Sequence, residues 1–294
     1  MTVPPFDYDT AFARNLGWVT PAEQRTLRGK CVAIAGLGGV GGSHLLTLAR
    51  LGIGRFRLAE FDTFDLVNFN RQAGASTSAL GRPKLDVMAA MARDINPGID
   101  LALFADGVTE RNIDDFLDGA DLFVDGLDFF AFGARQLVFG RCAARGIPAT
   151  TVAPLGMGAA LLNFLPGRMT FADYFGLDRC PDDEKPLRFL LGLAPAALHR
   201  RYLVDPSFVD LAAQKGPSTA MACELCAGVA GTEALKILLA RRRVVAAPRG
   251  IHFDAYRNLL VRTWQPWGWR GPMRRVVHRI ARRQFARMRA QAAR

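Results

Sequence analysis

A glycine-rich loop directly after a short apolar run constrains the fold of this chain more than any other feature. Residues 31–35 are all apolar, as in a central strand of a parallel sheet that is covered on both faces. The chain then reads Gly36-Leu37-Gly38-Gly39-Val40-Gly41 and continues into a helical pattern. A loop of this kind brings backbone N–H groups close to a phosphate at a helix N-terminus, where the helix dipole favours anions.

Strand-like and helix-like segments alternate as far as residue 165. The pattern predicts strands at 55–60, 101–104 and 122–124, helices at 84–95 and 130–145, and a further helix opened by Thr109 as N-cap. The apolar stretch 147–165 is broken by Pro154 and several glycines, and therefore predicts two buried strands rather than a membrane span. We expect an α/β fold with a doubly wound, Rossmann-like, mostly parallel sheet, an irregular insertion and a basic C-terminal helix.

Polar residues after the second predicted strand narrow the ligand. Glu60 ends that strand, where a carboxylate can accept hydrogen bonds from ribose hydroxyls, and Asp62 just beyond it could hold a magnesium ion or its waters. Asp62 could equally be an ordinary loop carboxylate. A ribose-binding carboxylate suits NAD and ATP alike, so the cations that follow have to decide between the two.

Arg71 and Lys84 favour a triphosphate over a nicotinamide cofactor. Arg71 lies in Asn68-Phe69-Asn70-Arg71-Gln72 and Lys84 in Gly81-Arg82-Pro83-Lys84. A guanidinium grips phosphate oxygens in a bidentate way, and a lysine adds a compact mobile charge. Two cations at the mouth of a glycine loop therefore indicate a triphosphate whose α-phosphate is attacked.

Asp128 follows the apolar run 122–124, at the carboxyl end of a predicted strand that faces the same crevice. A carboxylate there could bind Mg²⁺, which prefers one or two carboxylates together with phosphate oxygens and water. It could also cap the helix predicted to begin near Phe129. The two roles are compatible.

The ordered set Gly-x-Gly-Gly-x-Gly, Asn-x-x-Arg-Gln and Gly-x-Pro-Lys resembles the ubiquitin-activating-enzyme-like superfamily of ThiF/MoeB/HesA adenylyltransferases. The resemblance covers about residues 12–154 and resumes at 228–236. It implies ATP and Mg²⁺ as cofactors and adenylation of a carboxylate with release of pyrophosphate, often at the C-terminal glycine of a small protein. It also implies a homodimer in which Arg14 reaches the ATP site of the partner subunit.

By this resemblance each predicted site residue receives a role. Gly36, Gly38, Gly39 and Gly41 would form the ATP loop, Glu60 would hold the ribose, and Arg71, Lys84 and Asp128 would be the catalytic residues. Asn68, Arg71, Gln72 and Lys84 would contact the phosphates, and Asp128 and Asp62 would bind the metal.

The chain departs from the family pattern in three places. Phe129 follows Asp128 where an asparagine is common, and Glu60 replaces the usual aspartate. Sulfur-carrier activators often hold zinc with two Cys-x-x-Cys pairs, whereas this chain has one, Cys223 to Cys226, which argues against zinc and favours small core residues.

Cys180 lies roughly where relatives place a thioester or persulfide cysteine. It is either a nucleophile that Arg179 activates or a loop thiol.

The charge and cysteine content bear on location and partners. The formal net charge is +11, and eight arginines without an acidic residue lie between 274 and 294, which leaves +3 for the rest. This tail can pack on its own domain, lie on anionic lipid or grip an acidic partner, with residues 277, 280, 281, 285 and 288 near one helical face. The five cysteines show no disulfide framework, and residues 1–30 lack a signal-peptide layout, so we expect a cytoplasmic, soluble protein.

These observations predict five segments. They are an N-terminal helical arm (1–30), an ATP-binding Rossmann-like domain (31–167), an insertion (168–217), the remainder of the adenylation domain with a helix and a strand pair (218–270), and a basic amphipathic tail (271–294).

The predicted function is ATP- and Mg²⁺-dependent activation of a carboxylate, on the C-terminus of a ubiquitin-like or sulfur-carrier protein or of a precursor peptide. Three alternatives remain open. The first is a relative of the threonylcarbamoyl-adenosine tRNA dehydratases, with tRNA as substrate. The others are an NAD-dependent oxidoreductase and an inactive partner subunit.

Overall fold

The computed structural model of the protein describes residues 5–210 and 213–292. In these residues, eight strands form one sheet: β1 (Cys31–Ala35), β2 (Arg55–Ala59), β3 (Asp100–Phe104), β4 (Leu122–Asp125), β5 (Ala149–Leu155), β6 (Gly158–Phe164), β7 (Arg249–Asp254) and β8 (Leu259–Trp264). The helices that accompany them are α1 (Tyr8–Ala11), α2 (Pro21–Gly29), α3 (Gly39–Arg50), α4 (Lys84–Ile95), α5 (Ile113–Phe116), α6 (Phe132–Arg145), α7 (Phe171–Phe175), α8 (Lys185–Leu193), α9 (Ala220–Leu238) and α10 (Pro272–Ala292).

The strand order in the sheet is β3-β2-β1-β4-β5-β6-β7-β8. Strands β1 to β5 pair in parallel, and β6, β7 and β8 extend the sheet in antiparallel pairs. The chain leaves β1 towards β2 and β3 and then returns to the other side of β1 for β4. The loops after β1 and β4 therefore face one another at the switch point where ligands bind in such sheets. The predicted fold class is confirmed.

Each face of the sheet carries its own apolar core. On one face, alternate residues of β1 such as Val32 and Ile34 share a cluster with Leu45 and Leu48 of α3 and Ala230 of α9. On the other face, Ala33 and Ala35 share a cluster with a set of aromatic side chains from α5, α6 and the insertion: Phe116, Phe139, Tyr174, Phe175 and Phe189. Burial of β1 on both faces explains why its five residues are all apolar.

Two predicted helix starts differ from the structure. Thr109 is not an N-cap, because α5 begins four residues later, after Asn112. The Asn112 side chain instead closes the preceding turn, since its Oδ1 accepts from the Thr109 N–H and its Nδ2 donates to the carbonyl of Gly107. The helix predicted from residue 130 begins at Phe132 and ends at Arg145, and it is capped by Gly146, which has the left-handed φ of 67°.

The insertion is only partly irregular. Helices α7 and α8 alternate with short 3₁₀ turns, and both helices bury aromatic side chains against the sheet. Thr170 caps α7 through its side chain, which accepts from the Asp173 N–H. Because α7 and α8 complete the aromatic cluster on one face of the sheet, this segment is part of the core.

The C-terminal helix α10 packs against α8 and the turn 268–270. Of the predicted apolar face, Ala281 is buried, but Val277 and Ile280 are exposed, and the side chains of residues 285 and 288 lie outside the described part. Arg274 and His278 are buried instead. Within the described part of the chain, no helix is both long and apolar enough to cross a bilayer.

Candidate functional site

Three passes of backbone meet where the glycine loop leaves β1. Gly36 has a φ of 83°, which favours glycine, and a Cβ added to Gly41 would overlap its carbonyl oxygen. A Cβ on Gly126, in the loop after β4, would overlap the same carbonyl. The loop after β1 is therefore held against the loop after β4. The sequence pattern predicted Gly36 and Gly41 as residues of the loop. Gly126 was not predicted, because it belongs to no motif.

The start of α3 presents backbone donors at this edge of the sheet. Helix α3 begins at Gly39, so the N–H groups of its first turn lack intrahelical acceptors. Helix N-termini of this kind are ready sites for phosphate, and Gly38 and Gly39 add no side chain at this one.

Glu60 fixes the shape of the loop. One of its carboxylate oxygens accepts from the Leu37 N–H at 2.8 Å, and the other accepts from the N–H groups of Phe61 and Asp62 at 2.8 and 3.0 Å. The side chain is buried. A carboxylate has about four acceptor positions, so one position remains for a ribose hydroxyl. Glu60 thus has a structural role that the sequence did not reveal, beside the role predicted for it.

Lys84 and Asp62 form an ion pair two residues beyond Glu60. The distance from Nζ to Oδ2 is 2.9 Å, and the lysine is buried whereas the aspartate is exposed. The Lys84 N–H also donates to the Asp62 carbonyl at 2.9 Å. The two predicted site residues therefore meet, and Asp62 positions the ammonium group of Lys84.

Arg71 and Gln72 border the glycine loop, although they lie at least thirty residues beyond it. The places that Cβ atoms would occupy on Gly39 and Gly38 are 3.7 Å from Arg71 Nε and 3.6 Å from Gln72 Nε2. The buried Gln72 Oε1 has no hydrogen-bond partner among the described residues. Because an amide can be reversed, this position offers a ligand either an acceptor or an NH₂ donor.

Asn68 and Asn70 shape the segment that carries Arg71. Asn68 is buried, and its Oδ1 accepts from the Asp65 N–H at 2.9 Å, which closes a short turn. Asn70 accepts from Arg71 through Oδ1 and donates through Nδ2 to the carbonyl of Ser218, just before α9. The phosphate contact predicted for Asn68 stays a prediction, and the link from Asn70 to Ser218 was not predicted.

Cys223 lies at the loop as well. Its Sγ is 3.3 Å from the place that a Gly39 Cβ would occupy. Burial raises the pKa of its thiol, which a hydrogen bond with Ser218 and the charge of Arg71 partly offset. Cys226 belongs to the apolar cluster beside α3. Among the residues that the structure describes, no three His, Cys, Asp or Glu side chains are grouped to hold a metal ion.

Asp128 is held in place by a residue that no motif predicted. Its exposed carboxylate accepts from the Phe130 N–H at 2.9 Å, so it caps a turn but not α6, which begins at Phe132. Arg135 of α6 donates to the carbonyls of Leu127, Asp128 and Phe129. Arg135 thereby clamps the whole loop after β4.

The clamp has a buried counter-ion. Arg135 Nε lies 2.9 Å from Asp125 Oδ2 at the end of β4, and both side chains are about 3% exposed. The Arg135 guanidinium also lies over the ring of Phe189 in the insertion, 4.7 Å from its centroid. Phe129, which replaces a common asparagine, packs in the same aromatic group at 5.2 Å from the Phe189 ring.

Arg14 and Cys180 lie outside this group of residues. Arg14 is exposed on a short 3₁₀ turn, and its neighbour Asn15 donates to the carbonyls of Arg50 and Leu51 at the end of α3. Cys180 is half-buried. Burial raises the pKa of its thiol, and the positive charges of Arg188 and Lys185 partly offset this. Arg179, expected to activate the thiol, pairs with Asp178 at 3.3 Å.

Comparison with known proteins supports the same assignment of the fold. A sequence model of the ThiF family matches residues 12–267. The tRNA threonylcarbamoyladenosine dehydratase of Bacillus subtilis is 38% identical over 107 residues, which cover 36% of this chain and 42% of that protein. The sulfur carrier protein ThiS adenylyltransferase of Escherichia coli is 32% identical over 167 residues, which cover 56% of this chain and 64% of that protein. The chain thus spans about half the length of the curated relatives it matches.

Solved structures share the fold at low identity. The structure of E. coli MccB with ATP has a TM-score of 0.65 and 18% identity, over 90% of this chain and 74% of that one. The ATP complex of the E. coli tRNA N6-threonylcarbamoyladenosine dehydratase TcdA has a TM-score of 0.59 and 22% identity, over 81% of this chain and 98% of that one.

Proposed function

The chain belongs to the ThiF family, and on that premise we propose that it is an ATP- and Mg²⁺-dependent adenylyltransferase. It activates a carboxylate as the acyl adenylate and releases pyrophosphate. The observations that carry the proposal are Arg71 beside Gly39 of the glycine loop, and Lys84 paired with Asp62, whose N–H shares the Glu60 carboxylate with the loop residue Leu37. A nicotinamide cofactor has no need for this pair of cations.

The residues around the loop divide the work. The N–H groups in the first turn of α3 bind phosphate oxygens. Glu60 holds the loop through the Leu37 N–H and accepts a hydrogen bond from a ribose hydroxyl. Arg71 and Lys84 stabilise the negative charge that grows on the α-phosphate as the carboxylate attacks and pyrophosphate leaves. Pre-placed donors of this kind contribute on the order of 3 kcal/mol each in enzymes where they have been removed.

The donor set fits magnesium held together with ATP. Mg²⁺ usually takes one or two carboxylates and completes its shell with phosphate oxygens and water. Asp128 has an exposed carboxylate, with one oxygen occupied by the Phe130 N–H, so it would supply that ligand. Asp62 is already paired with Lys84, which makes it the weaker candidate for a direct metal ligand.

We propose the C-terminus of a small protein or precursor peptide as the acceptor, with a homodimer in which Arg14 completes the partner's site. The ThiS adenylyltransferase is similar to this chain in sequence, and MccB, whose structure with MccA has been solved, is similar to it in fold. The second candidate is a carboxyl-bearing tRNA base, favoured by the 38% identity with the B. subtilis tRNA dehydratase.

ATP–pyrophosphate exchange with magnesium, with cell proteins and cell RNA as separate acceptor pools, tests the proposal. Lys84→Ala should lower exchange about a hundredfold, because one pre-placed donor is lost. Lys30→Ala is the matched control. Lys30 pairs with Asp121 at the same distance of 2.9 Å, but this pair lies at the amino-terminal ends of β1 and β4, away from the glycine loop. Arg71→Ala and Asp128→Ala should behave like Lys84→Ala.

Each alternative predicts a different result. Sensitivity of the acceptor pool to protease identifies a protein or peptide, and sensitivity to nuclease identifies tRNA. Tight nicotinamide binding that does not require Arg71 or Lys84 would indicate an oxidoreductase. Folded protein that neither exchanges pyrophosphate nor binds ATP in calorimetry would indicate an inactive subunit and would overturn the proposal.

A further inference from the structure

The net charge of the protein lies entirely at its C-terminal end. Residues 255–294 contain eleven arginines and no lysine, aspartate or glutamate, which equals the formal net charge of +11 for the whole chain. Residues 1–254 therefore contain as many acidic as basic residues. Three of the four tryptophans, Trp264, Trp267 and Trp269, lie in the same forty residues. The proposed adenylation chemistry does not use this segment.

Helix α10 shows an apolar stripe to solvent. Met273, Val276, Val277 and Ile280 follow the i, i+3, i+4, i+7 spacing that places side chains on one helix face. All four are exposed, by 43% to 80%. An amphipathic helix ordinarily turns such a face to the core, so its exposure here needs an explanation.

Three contacts with the insertion and the turn before α10 fix which face of α10 is turned inwards. Arg274 is buried, donates from Nη1 to the carbonyl of Tyr174, and lies over the Tyr174 ring at 4.7 Å. Arg282 pairs with Glu184 at 2.8 Å, and the His278 ring stands against Trp269 at 5.0 Å. These contacts set the rotation of α10 about its axis, and the stripe lies about 100° around the helix from the buried face.

Exposed arginines lie on one side of the stripe, with Arg283 nearest to it and Arg275 furthest around the helix. Arg275, Arg279 and Arg283 are all exposed on the same helix. Trp267, 66% exposed, stands beside Gly271 at the point where α10 begins. An apolar stripe with arginines along one side and a tryptophan at its end is the composition of helices that lie in the plane of a membrane interface.

We propose that α10 and the turn before it form a peripheral binding surface for anionic lipid bilayers. The apolar stripe enters the boundary between headgroups and acyl chains, the arginines along one side of it bind lipid phosphates, and Trp267 lies at headgroup level. The aliphatic stripe favours a bilayer over RNA, because proteins bind RNA through its phosphates and by stacking bases on aromatic rings, which an aliphatic stripe does not offer. The surface is independent of the adenylation site and stands whether or not the proposed activity does.

Flotation of the full chain with vesicles tests the proposal, without ATP. Binding to mixed phosphatidylcholine and phosphatidylglycerol vesicles should exceed binding to phosphatidylcholine alone about tenfold or more, and should fall with salt. The triple variant Val276→Ser, Val277→Ser, Ile280→Ser, which keeps every charge, should weaken binding about tenfold or more. The matched control is Val204→Ser with Phe208→Ser, which removes two exposed apolar side chains from the insertion.

Two further measurements complete the test. Urea unfolding should be unchanged in the triple variant, because its side chains are exposed, and this shows that a loss of binding is not a loss of fold. Blue-shifted tryptophan fluorescence should accompany binding to anionic vesicles. Equal binding to neutral and anionic vesicles, or unchanged binding of the triple variant, would overturn the proposal. Binding to tRNA alone, unaffected by the triple variant, would also overturn it.

Discussion

Arg135 and Asp125 form a buried ion pair, 2.9 Å from Nε to Oδ2, that links the end of β4 to the loop carrying Asp128. The guanidinium satisfies three loop carbonyls at the same time. The carboxylate also accepts from the Leu127 N–H. The position of the predicted magnesium ligand therefore depends on an arginine in the following helix.

Replacing Arg135 by methionine should lower the free energy of unfolding by about 3–5 kcal/mol, because Asp125 would keep a buried charge without its partner. Urea denaturation measures the change. Adding Asp125→Asn to the same chain should recover part of the loss. Arg179→Met is the comparison, since Arg179 and Asp178 form an exposed pair whose loss should cost no more than about 1 kcal/mol. Equal effects of the two methionine variants would refute this account.

Gly41→Ala should destabilise the fold by about 3 kcal/mol or more, because the new Cβ would overlap a backbone carbonyl that cannot move without the glycine loop. Gly140→Ala is the matched substitution, in an exposed position of α6 with nothing near the added Cβ. It should stabilise the protein by about 0.5–1 kcal/mol. Thermal unfolding of the two variants gives the comparison, and a tolerated Gly41→Ala would mean that the close approach to Gly36 is not obligatory.

His44 should make stability depend on pH. Burial lowers its pKa to about 3, and neither ring nitrogen has a hydrogen-bond partner among the described residues. The unfolded chain therefore binds a proton at His44 more tightly than the folded chain does. Above about pH 6.5 His44 is neutral in both states, and below this pH its protonation in the unfolded chain lowers the free energy of unfolding as the pH falls. His44→Leu should reduce the slope of unfolding free energy against pH by up to about 1.4 kcal/mol per unit between pH 6 and 5. Identical slopes would exclude His44 as the source.

Cys180 should react slowly with iodoacetamide at neutral pH, because burial raises the pKa of its thiol and the thiolate is the reactive form. The rate, followed by mass spectrometry of the Cys180 peptide, should still be rising above pH 9. Pyrophosphate exchange should survive Cys180→Ala, since adenylation precedes any transfer to a thiol. Fast labelling at pH 7 would instead support the predicted nucleophile.

Local patterns predicted the parallel part of the sheet well. Five consecutive apolar residues at 31–35 and the glycines after them predicted β1, its turn and α3, since these features depend on neighbouring residues. The pair of buried strands at 147–165 was also predicted, and it corresponds to β5 and β6. Thr109 was wrongly predicted as an N-cap because Thr and Asn are both common N-cap residues, and the sequence alone does not distinguish Thr109 from Asn112. In the structure the Asn112 side chain closes the turn that begins at Gly107, and the helix starts after it.

The missed contacts join residues that are distant along the chain. Cys223 meets Gly39, and Asn70 meets the carbonyl of Ser218, only because α9 returns to pack on α3 after the insertion. The orientation of α10 was missed for a similar reason. Its apolar spacing left packing on the domain, anionic lipid and an acidic partner open, and it did not show that the aromatic rings of Tyr174 and Trp269 hold Arg274 on the inward face.

The distribution of charge also governs how the molecule approaches other bodies. Residues 1–254 carry no net charge and eleven positive charges follow β7, so the molecule has a permanent electric dipole. An anionic surface therefore exerts a torque on the molecule before the two come into contact. Rotation in that field turns the end with β8 and α10 forward. At low ionic strength, collisions with such a surface are therefore biased towards one orientation from the outset.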